Sequence, residues 1–376
     1  MKYWKMRLTC QSPVHIGSGE TYKKNQYVYE EYERNAKVYF LNELKWAIFL
    51  DKEKLMNHFA DEISKNFENA STYDFLRKHF PQKINQVIQD LIKAEVLSVP
   101  LMVPSSKVLN DIHTFIKDSE GRMYIPGSSL KGAFRTAIIA EMIRKDRAKY
   151  DKYRNEIFAA ARGGEKRNEK VGNVLERLEK EVFIPIGDDG ERNMVNSYFR
   201  GLTVGDSTGA NQPGIIVQKA DLGETEYRPH TIPLWRECMA VGDTVTFTLG
   251  IEPKIMEKVG ISDAKGLIAC LQNFVDFQCD LLWKSFNDTD EIQEMQKTDC
   301  LLGGGAGFLS KTMIYALAPS HQSGLDVVKR LMAEQFKRGH HNQGEHISPH
   351  TLKLAKRGNS YQVMGMCKLE VMEELC

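Results

Sequence analysis

Residues 124–137, YIPGSSLKGAFRTA, join three kinds of chain in one short run. Met123, Tyr124 and Ile125 read as the end of an extended segment, Pro126-Gly127 as a turn, and Ser128 onward as a helix. Ser128 or Ser129 is placed to cap that helix with its hydroxyl. Lys131 and Arg135 lie four apart, hence on one helical face, beside the free N–H groups of the first turn. Such a face suits a polyanion. Arg144, Lys145, Arg147 and Lys149 either continue it or form a solvated surface. The same device recurs later, where GAGFLSKTMIYAL (305–317) again runs from glycine through Ser and Lys into an apolar helix.

Working outward, residues 3–10 alternate as a first strand, and Ser12 to Gly19 form a Pro- and Gly-containing turn. Tyr27 to Tyr29 and Val38 to Leu41 are short β runs, and Asn42 caps a helix through Leu50 with Glu43 in its first turn. Residues 51–97 read as a helical insertion. Leu55, Phe59, Ile63 and Phe67 recur at helical spacing, as do Ile84, Val87, Ile88, Leu91 and Ile92. Strand signals return at 108–117, and a tight turn covers 118–121. Residues 136–158 are helical and 162–167 form a polar loop. Strands are expected at 199–206, 214–222 and 243–251, with a Pro-containing connection at 229–233. Beyond Pro253 the chain turns helical, with Leu267, Leu271, Phe274, Val275, Leu281 and Leu282 on one face. The glycine loop follows, then helices through Leu317 and at 324–337, and a strand at 361–371. This interleaving predicts an α+β protein of two units, residues 1–250 with the insertion and 251–376, each a small antiparallel sheet with helices on one face.

With 42% hydrophobic residues the chain can bury a sizeable core, but a net charge of +1 means that any nucleic-acid partner must be met by a local concentration of cations. The first residues lack the apolar core of a signal peptide, and no apolar run approaches the roughly 18 residues that span a bilayer. No membrane association is expected. Seven scattered cysteines without a C-x-x-C argue against structural zinc and against a disulfide framework. The chain therefore reads as cytoplasmic with reduced thiols, and no metal or cofactor is expected.

LLGGGAGFLSKT (301–312) poses the sharpest chemical question. As a Walker A loop it would align Gly305 with the first glycine and Lys311-Thr312 with the end. Ser310 then stands where the last glycine must let the backbone close round a phosphate. The preceding residues 291–300 are polar, and no strand ending in Asp supplies a Walker B. More loosely, Gly303, Gly304, Gly305 and Gly307 can bring backbone N–H groups to an RNA phosphodiester, with Ser310 and Lys311 beside it. The plain alternative is a tight turn where two backbones pass closely. His15, in the turn that also holds Gly17, Ser18 and Gly19, could act as a general base, stack on an RNA base, or simply bond within its turn. His340, His341, His346 and His350 are irregularly spaced without cysteines and read as an exposed loop. Asp188, Asp189 and Asp206 read as loop or strand-end residues, and no catalytic constellation is evident.

Together PVHIGSG (13–19), YIPGSSLKGAFRTA and GGGAGFLSKT (303–312) resemble the RAMP-superfamily subunits of type III-A CRISPR (Csm) effector complexes, most closely the subunit at the 3′ end of the guide RNA. The resemblance covers nearly the whole length and preserves the order of the three motifs. It implies two RRM-like (ferredoxin-like) domains and a non-catalytic subunit. It also implies contact with the crRNA 3′ region and target RNA, packing on the repeating backbone subunit, and a link to crRNA maturation through host nucleases. On this reading His15, Gly17, Ser18, Gly19, Gly127, Ser128, Ser129, Lys131, Arg135, Gly303, Gly304, Gly305, Gly307, Ser310 and Lys311 are the RNA-binding set. The rivals are a metal-independent CRISPR-RNA endoribonuclease using His15 and Lys131, and a P-loop NTPase.

Overall fold

The computed structural model describes residues 1–32, 35–103, 110–187, 190–224, 226–286, 290–336 and 346–375. Strand β1 (Lys2–Cys10) turns Trp4, Met6, Leu8 and Cys10 inward and Lys5, Arg7 and Thr9 outward, the alternation of a half-buried strand. β2 (Gly17–Tyr22), β3 (Tyr27–Tyr32) and β4 (Asn35–Phe40) follow. The Asn42 side chain accepts a hydrogen bond from the Lys45 N–H and caps α1 (Glu43–Lys52). α2 (Met56–Lys65), α3 (Thr72–His79) and α4 (Ile84–Lys93) complete the helical insertion. Short strands β5 (Leu101–Val103) and β6 (Ile112–Phe115) precede the long α5 (Gly127–Lys145), then α6 (Asp151–Arg162) and α7 (Arg167–Phe183). Next come β7 (Leu202–Val204), β8 (Ile215–Gly223), β9 (His230–Cys238) and β10 (Thr244–Ile251). Three helices follow: α8 (Pro253–Met256), α9 (Ala264–Phe286) and α10 (Asp290–Gln296). The last elements are β11 (Cys300–Leu301), α11 (Ile314–Leu317), α12 (His321–Gln335), β12 (Thr351–Arg357), β13 (Ser360–Val363) and β14 (Met366–Leu375).

One sheet has five antiparallel strands in the order β11-β14-β1-β10-β7. Within it, β1-α5-β7-β10-α9-β14 runs β-α-β-β-α-β, and the fourth strand lies beside the first with the third between first and second. That is the ferredoxin-like, RRM-type arrangement. Helices α5 and α9 pack on each other, and Met6, Leu8, Phe134, Ile138, Leu271 and Val275 share one core. The sheet draws β1, β7 and β10 from residues up to Ile251 and β11 and β14 from Cys300 onward, so its strands come from both ends of the chain.

The second sheet runs β2-β6-β9-β8-β5-β4-β3, with β12 pairing farther along β8 and β13 beyond it. Helices α1, α3 and α4 cover Val28 and Tyr39 on one face of β3-β4, and Tyr27, Val38, Leu101, Ile216 and Trp235 form a separate core on the other. Residues 229–233, expected as a connection, lie largely within β9. Pro233 sits where the β8–β9 register shifts between Gln218 and Ala220, so its missing N–H removes no ladder bond. The structure bears out the α+β class, the two RRM-like sheets and the helical insertion.

Candidate nucleic-acid interface

The loop after β11 is packed against the turn after β1. The Gly304 N–H donates to the His15 carbonyl at 2.7 Å, and the Gly365 N–H donates to the Pro13 carbonyl at 2.9 Å. Gly303 has a φ of +80°, and a Cβ there would stand 2.0 Å from the His15 carbonyl oxygen. Only glycine allows this approach. His15 is 5 % exposed, and its ring stands in a T-shaped contact with Phe115. Its Nδ1 lies 2.7 Å from the Glu237 carbonyl oxygen. A carbonyl only accepts, so Nδ1 carries the proton. Burial depresses the His15 pKa to about 4, leaving a neutral ring that braces the loop. The Glu237 carboxylate beneath accepts from the Phe115 N–H at 2.9 Å and pairs with Lys117 at 2.7 Å. Gly17, Ser18 and Gly19 start β2 and are exposed, and the Ser18 hydroxyl bonds to the Thr114 hydroxyl at 2.6 Å.

The same loop crosses a cationic face of the second sheet. Cross-strand register places His113 beside Arg236, Arg236 beside Val217, Lys219 beside Ala355, and Asp221 beside Lys353. Residues directly opposite share a face, so His113, Arg236, Lys219 and Lys353 point to one side. A Cβ on Gly305 would come 3.2 Å from Arg236 Nη1, and one on Gly307 would come 3.6 Å from Lys353 Cγ. Asp221 takes Lys353 at 2.9 Å and Lys219 at 3.5 Å, so three cations face one carboxylate. Burial lowers the pKa of both Lys219 and Arg236. Lys311 is exposed at the end of the loop, whereas Ser310 is buried and its hydroxyl donates to the Gly307 carbonyl at 2.9 Å. Ser310 is thus spent within the loop.

The motif at α5 is built differently from the sequence expectation. Neither Ser128 nor Ser129 caps the helix. The Gly127 N–H donates to the Asp206 carboxylate at 2.7 Å, which puts negative charge at the helix N-terminus. Gly127 is required because a Cβ would lie 2.2 Å from the Val204 carbonyl oxygen. Lys131 donates to the Leu202 carbonyl at 2.6 Å, and burial lowers its pKa. Arg135 pairs with Glu179 at 3.1 Å, and both cations lie over the Phe199 ring. These contacts are at the β7 edge of the five-stranded sheet, while the glycine loop leaves from β11 at the opposite edge. The structure therefore joins His15 to Gly303 and Gly304, and places Lys131 and Arg135 elsewhere. Leu309–Lys311 does pack against α5.

A Walker A site is absent from this loop. It leads into a single 3₁₀ turn and the four-residue α11, not into a long helix. His340, His341, Asp188 and Asp189 lie outside the described residues, and among the described residues no group of three His, Cys, Asp or Glu side chains could hold a metal ion. No described helix is long and apolar enough to cross a membrane. The RAMP-superfamily description matches residues 7–306, a span running from within β1 into the glycine loop. The chain belongs to the RAMP superfamily. It is 25% identical to a "CRISPR system Cms protein Csm5" of Enterococcus italicus, over 98% of this chain and 97% of that protein. A protein of the same name from Mycobacterium tuberculosis is also 25% identical, over 99% and 98%. Among solved structures, a chain from a Csm-crRNA-target RNA ternary complex of a type III-A CRISPR-Cas system superposes with a TM-score of 0.65 at 19% identity, covering 98% of this chain and all of that one. A T. onnurineus Csm5 crystal structure gives 0.61 at 16% identity, covering 96% and 99%. The resemblance carried by the three glycine motifs is borne out.

Within this RAMP fold, sequence reading missed Arg236, Lys219 and Lys353, and took Asp206 for an ordinary loop or strand-end residue without its place at the start of α5. The three cations come from β9, β8 and β12, and only strand pairing brings them together. Asp206 meets Gly127 across 79 residues of chain. The one local signal was alternation in Lys219-Ala220-Asp221, which places Lys219 and Asp221 on a common face.

Proposed function

We propose that this chain is a non-catalytic RNA-binding subunit of a type III-A CRISPR effector complex, acting in the cytoplasm. It holds the 3′ region of the crRNA, abuts the repeating backbone subunit, and supports assembly and 3′-end maturation by host nucleases. The observation that carries the reading is the glycine loop, braced on buried His15 and laid across Arg236 and Lys353. Backbone close to cations, at the accessible margin of a largely covered sheet face, is chemistry for a phosphodiester chain. On the other sheet Lys5 and Arg7 are matched one to one, by Glu373 and Glu370, whereas Arg236, Lys219 and Lys353 share the single carboxylate of Asp221; the excess positive charge favours the second sheet as the RNA path.

Binding is favoured over cleavage because His15 is nine-tenths buried with a pKa near 4, and Lys131 is committed to the Leu202 carbonyl at the far sheet edge. A base and a cation flanking one ribose are what metal-independent cleavage needs. The test is to purify the tagged chain from its native host and sequence the RNA that accompanies it. Short RNAs with a common 5′ tag and regularly stepped lengths support the reading. Random fragments, or none, overturn it, and cleavage of bound RNA in EDTA would restore the nuclease.

A further inference from the structure

We propose that the cavity between β3 and α3 is a pocket for a single nucleobase of bound RNA, an inference that rests on the RNA-binding reading above. The cavity measures about 370 Å³ and is walled by Tyr27 and Tyr29 on the strand and by Tyr73 and Arg77 on the helix. Tyr29 and Tyr73 are the half-buried rings of the lining, Tyr27 being buried in the core of the sheet, and the Arg77 guanidinium carbon lies 5.9 Å from the Tyr73 ring centre. Aromatic faces of this kind stack on bases of any sequence.

Charge in the pocket excludes a phosphate as its occupant. Lys24 and Arg77 are offset by Glu31 and Asp74, and Arg77 already pairs with Asp74 at 3.0 Å. A neutral ring with a polar edge fits better than an anion. The Asn69 amide, which already donates to Asn66 Oδ1 at 3.3 Å, keeps a second N–H and its carbonyl oxygen, and Glu31, which accepts from the Tyr29 hydroxyl at 3.3 Å, offers a further acceptor. The walls are held in place before any ligand arrives. The Thr72 hydroxyl donates to the Asn25 carbonyl at 2.7 Å, tying α3 to the turn before β3, while Phe75 and Leu76 are buried beneath. The Tyr27 hydroxyl is anchored on the Asn110 carbonyl at 2.9 Å. β3 is an edge strand of the sheet that carries Arg236, Lys219 and Lys353, so the pocket opens at the margin of the proposed RNA-bearing body.

The experiment uses the full chain and a single-stranded RNA carrying 4-thiouridine, with crosslinked peptides mapped by mass spectrometry and affinity measured in parallel. Crosslinks at Tyr29 or Tyr73, an affinity loss of about tenfold for Tyr73→Ala, and near-full affinity for Tyr73→Phe support the pocket, because stacking needs the ring and not the hydroxyl. An abasic nucleotide at the crosslinked position should weaken the unaltered chain equally and add nothing to Tyr73→Ala. Crosslinks confined to other segments, with Tyr73→Ala binding RNA unchanged, overturn the pocket while leaving the RNA-binding reading intact. Failure of the unaltered chain to bind RNA overturns both. The crosslink on unaltered protein decides the matter even if Tyr73→Ala misfolds.

Discussion

Gly303→Ala perturbs the joint between the two ends of the RAMP fold at its tightest point. The native φ of +80° disfavours any L side chain, a cost of about 1–2 kcal/mol. The added Cβ would start 2.0 Å from the His15 carbonyl oxygen and 3.0 Å from its carbon, so the loop must retreat by about an ångström or more. That retreat breaks the 2.7 Å bond from the Gly304 N–H and leaves a buried carbonyl without its donor, worth about 1–1.5 kcal/mol more. The sum is about 2–3.5 kcal/mol. Gly307→Ala is the control: its φ is +87°, yet its Cβ would meet only Lys353 Cγ at 3.6 Å, so about 1–2 kcal/mol of backbone cost remains. Equilibrium urea denaturation followed by circular dichroism reads both, and Gly303→Ala should lower the midpoint clearly more than Gly307→Ala. Equal shifts would show that the loop is not held against the His15 turn, and the bracing argument would fail.

Three other outcomes follow from the same geometry. Because burial holds His15 near pKa 4 against an ordinary 6.5, the unfolded chain binds the extra proton between those values. The contribution to stability is full above about pH 6.5 and is lost as pH falls towards 4, by up to about 3 kcal/mol; His15→Gln should flatten that part of the urea-midpoint profile. Asp206→Ala removes the carboxylate at the start of α5 and should cost about 1 kcal/mol in a denaturation curve, while Ser128→Ala should cost almost nothing. Lys131→Glu with Arg135→Glu, at the sheet edge opposite the glycine loop, should leave RNA binding in a filter assay nearly unchanged, and a clear loss of affinity in a folded variant would bring this helix into the RNA path.

What sequence could carry was local. Trp4, Met6 and Leu8 announced β1 by alternation, Asn42 announced the start of α1, and the apolar spacing from Ile84 to Ile92 announced α4. The fold's closure was not local. Cys10 pairs with Cys367 and Tyr3 with Leu375, so the sheet is completed by a strand more than 350 residues away, and no window of sequence contains both partners. Pro233 misdirected the reading of β9 because a register shift, invisible in the sequence, excuses its missing N–H. At the candidate site, the glycines were legible because their conformation is written in residue type, and Gly303, Gly305 and Gly307 all take positive φ. Their purpose was not legible. By sequence His15 is open among a general base, a base-stacking residue and a turn residue, and it is a buried strut; Lys131 reads as placed to meet a polyanion and is bonded to Leu202. Arg236, Lys219 and Lys353 carried no motif because they become neighbours only through pairing among β8, β9 and β12.

The central claim is that RNA runs over the glycine loop and the cations beneath it. It is tested most directly by measuring RNA affinity across a salt series for the unaltered chain, Arg236→Ala, Lys353→Ala and the Lys5→Ala/Arg7→Ala pair. Each single substitution on the second sheet should weaken binding and reduce the slope of log affinity against log salt by about 0.7, the value for one phosphate contact on a single strand. The Lys5/Arg7 pair should leave the slope unchanged. The opposite pattern, with slope lost at Lys5 and Arg7 and kept at Arg236 and Lys353, would contradict the account.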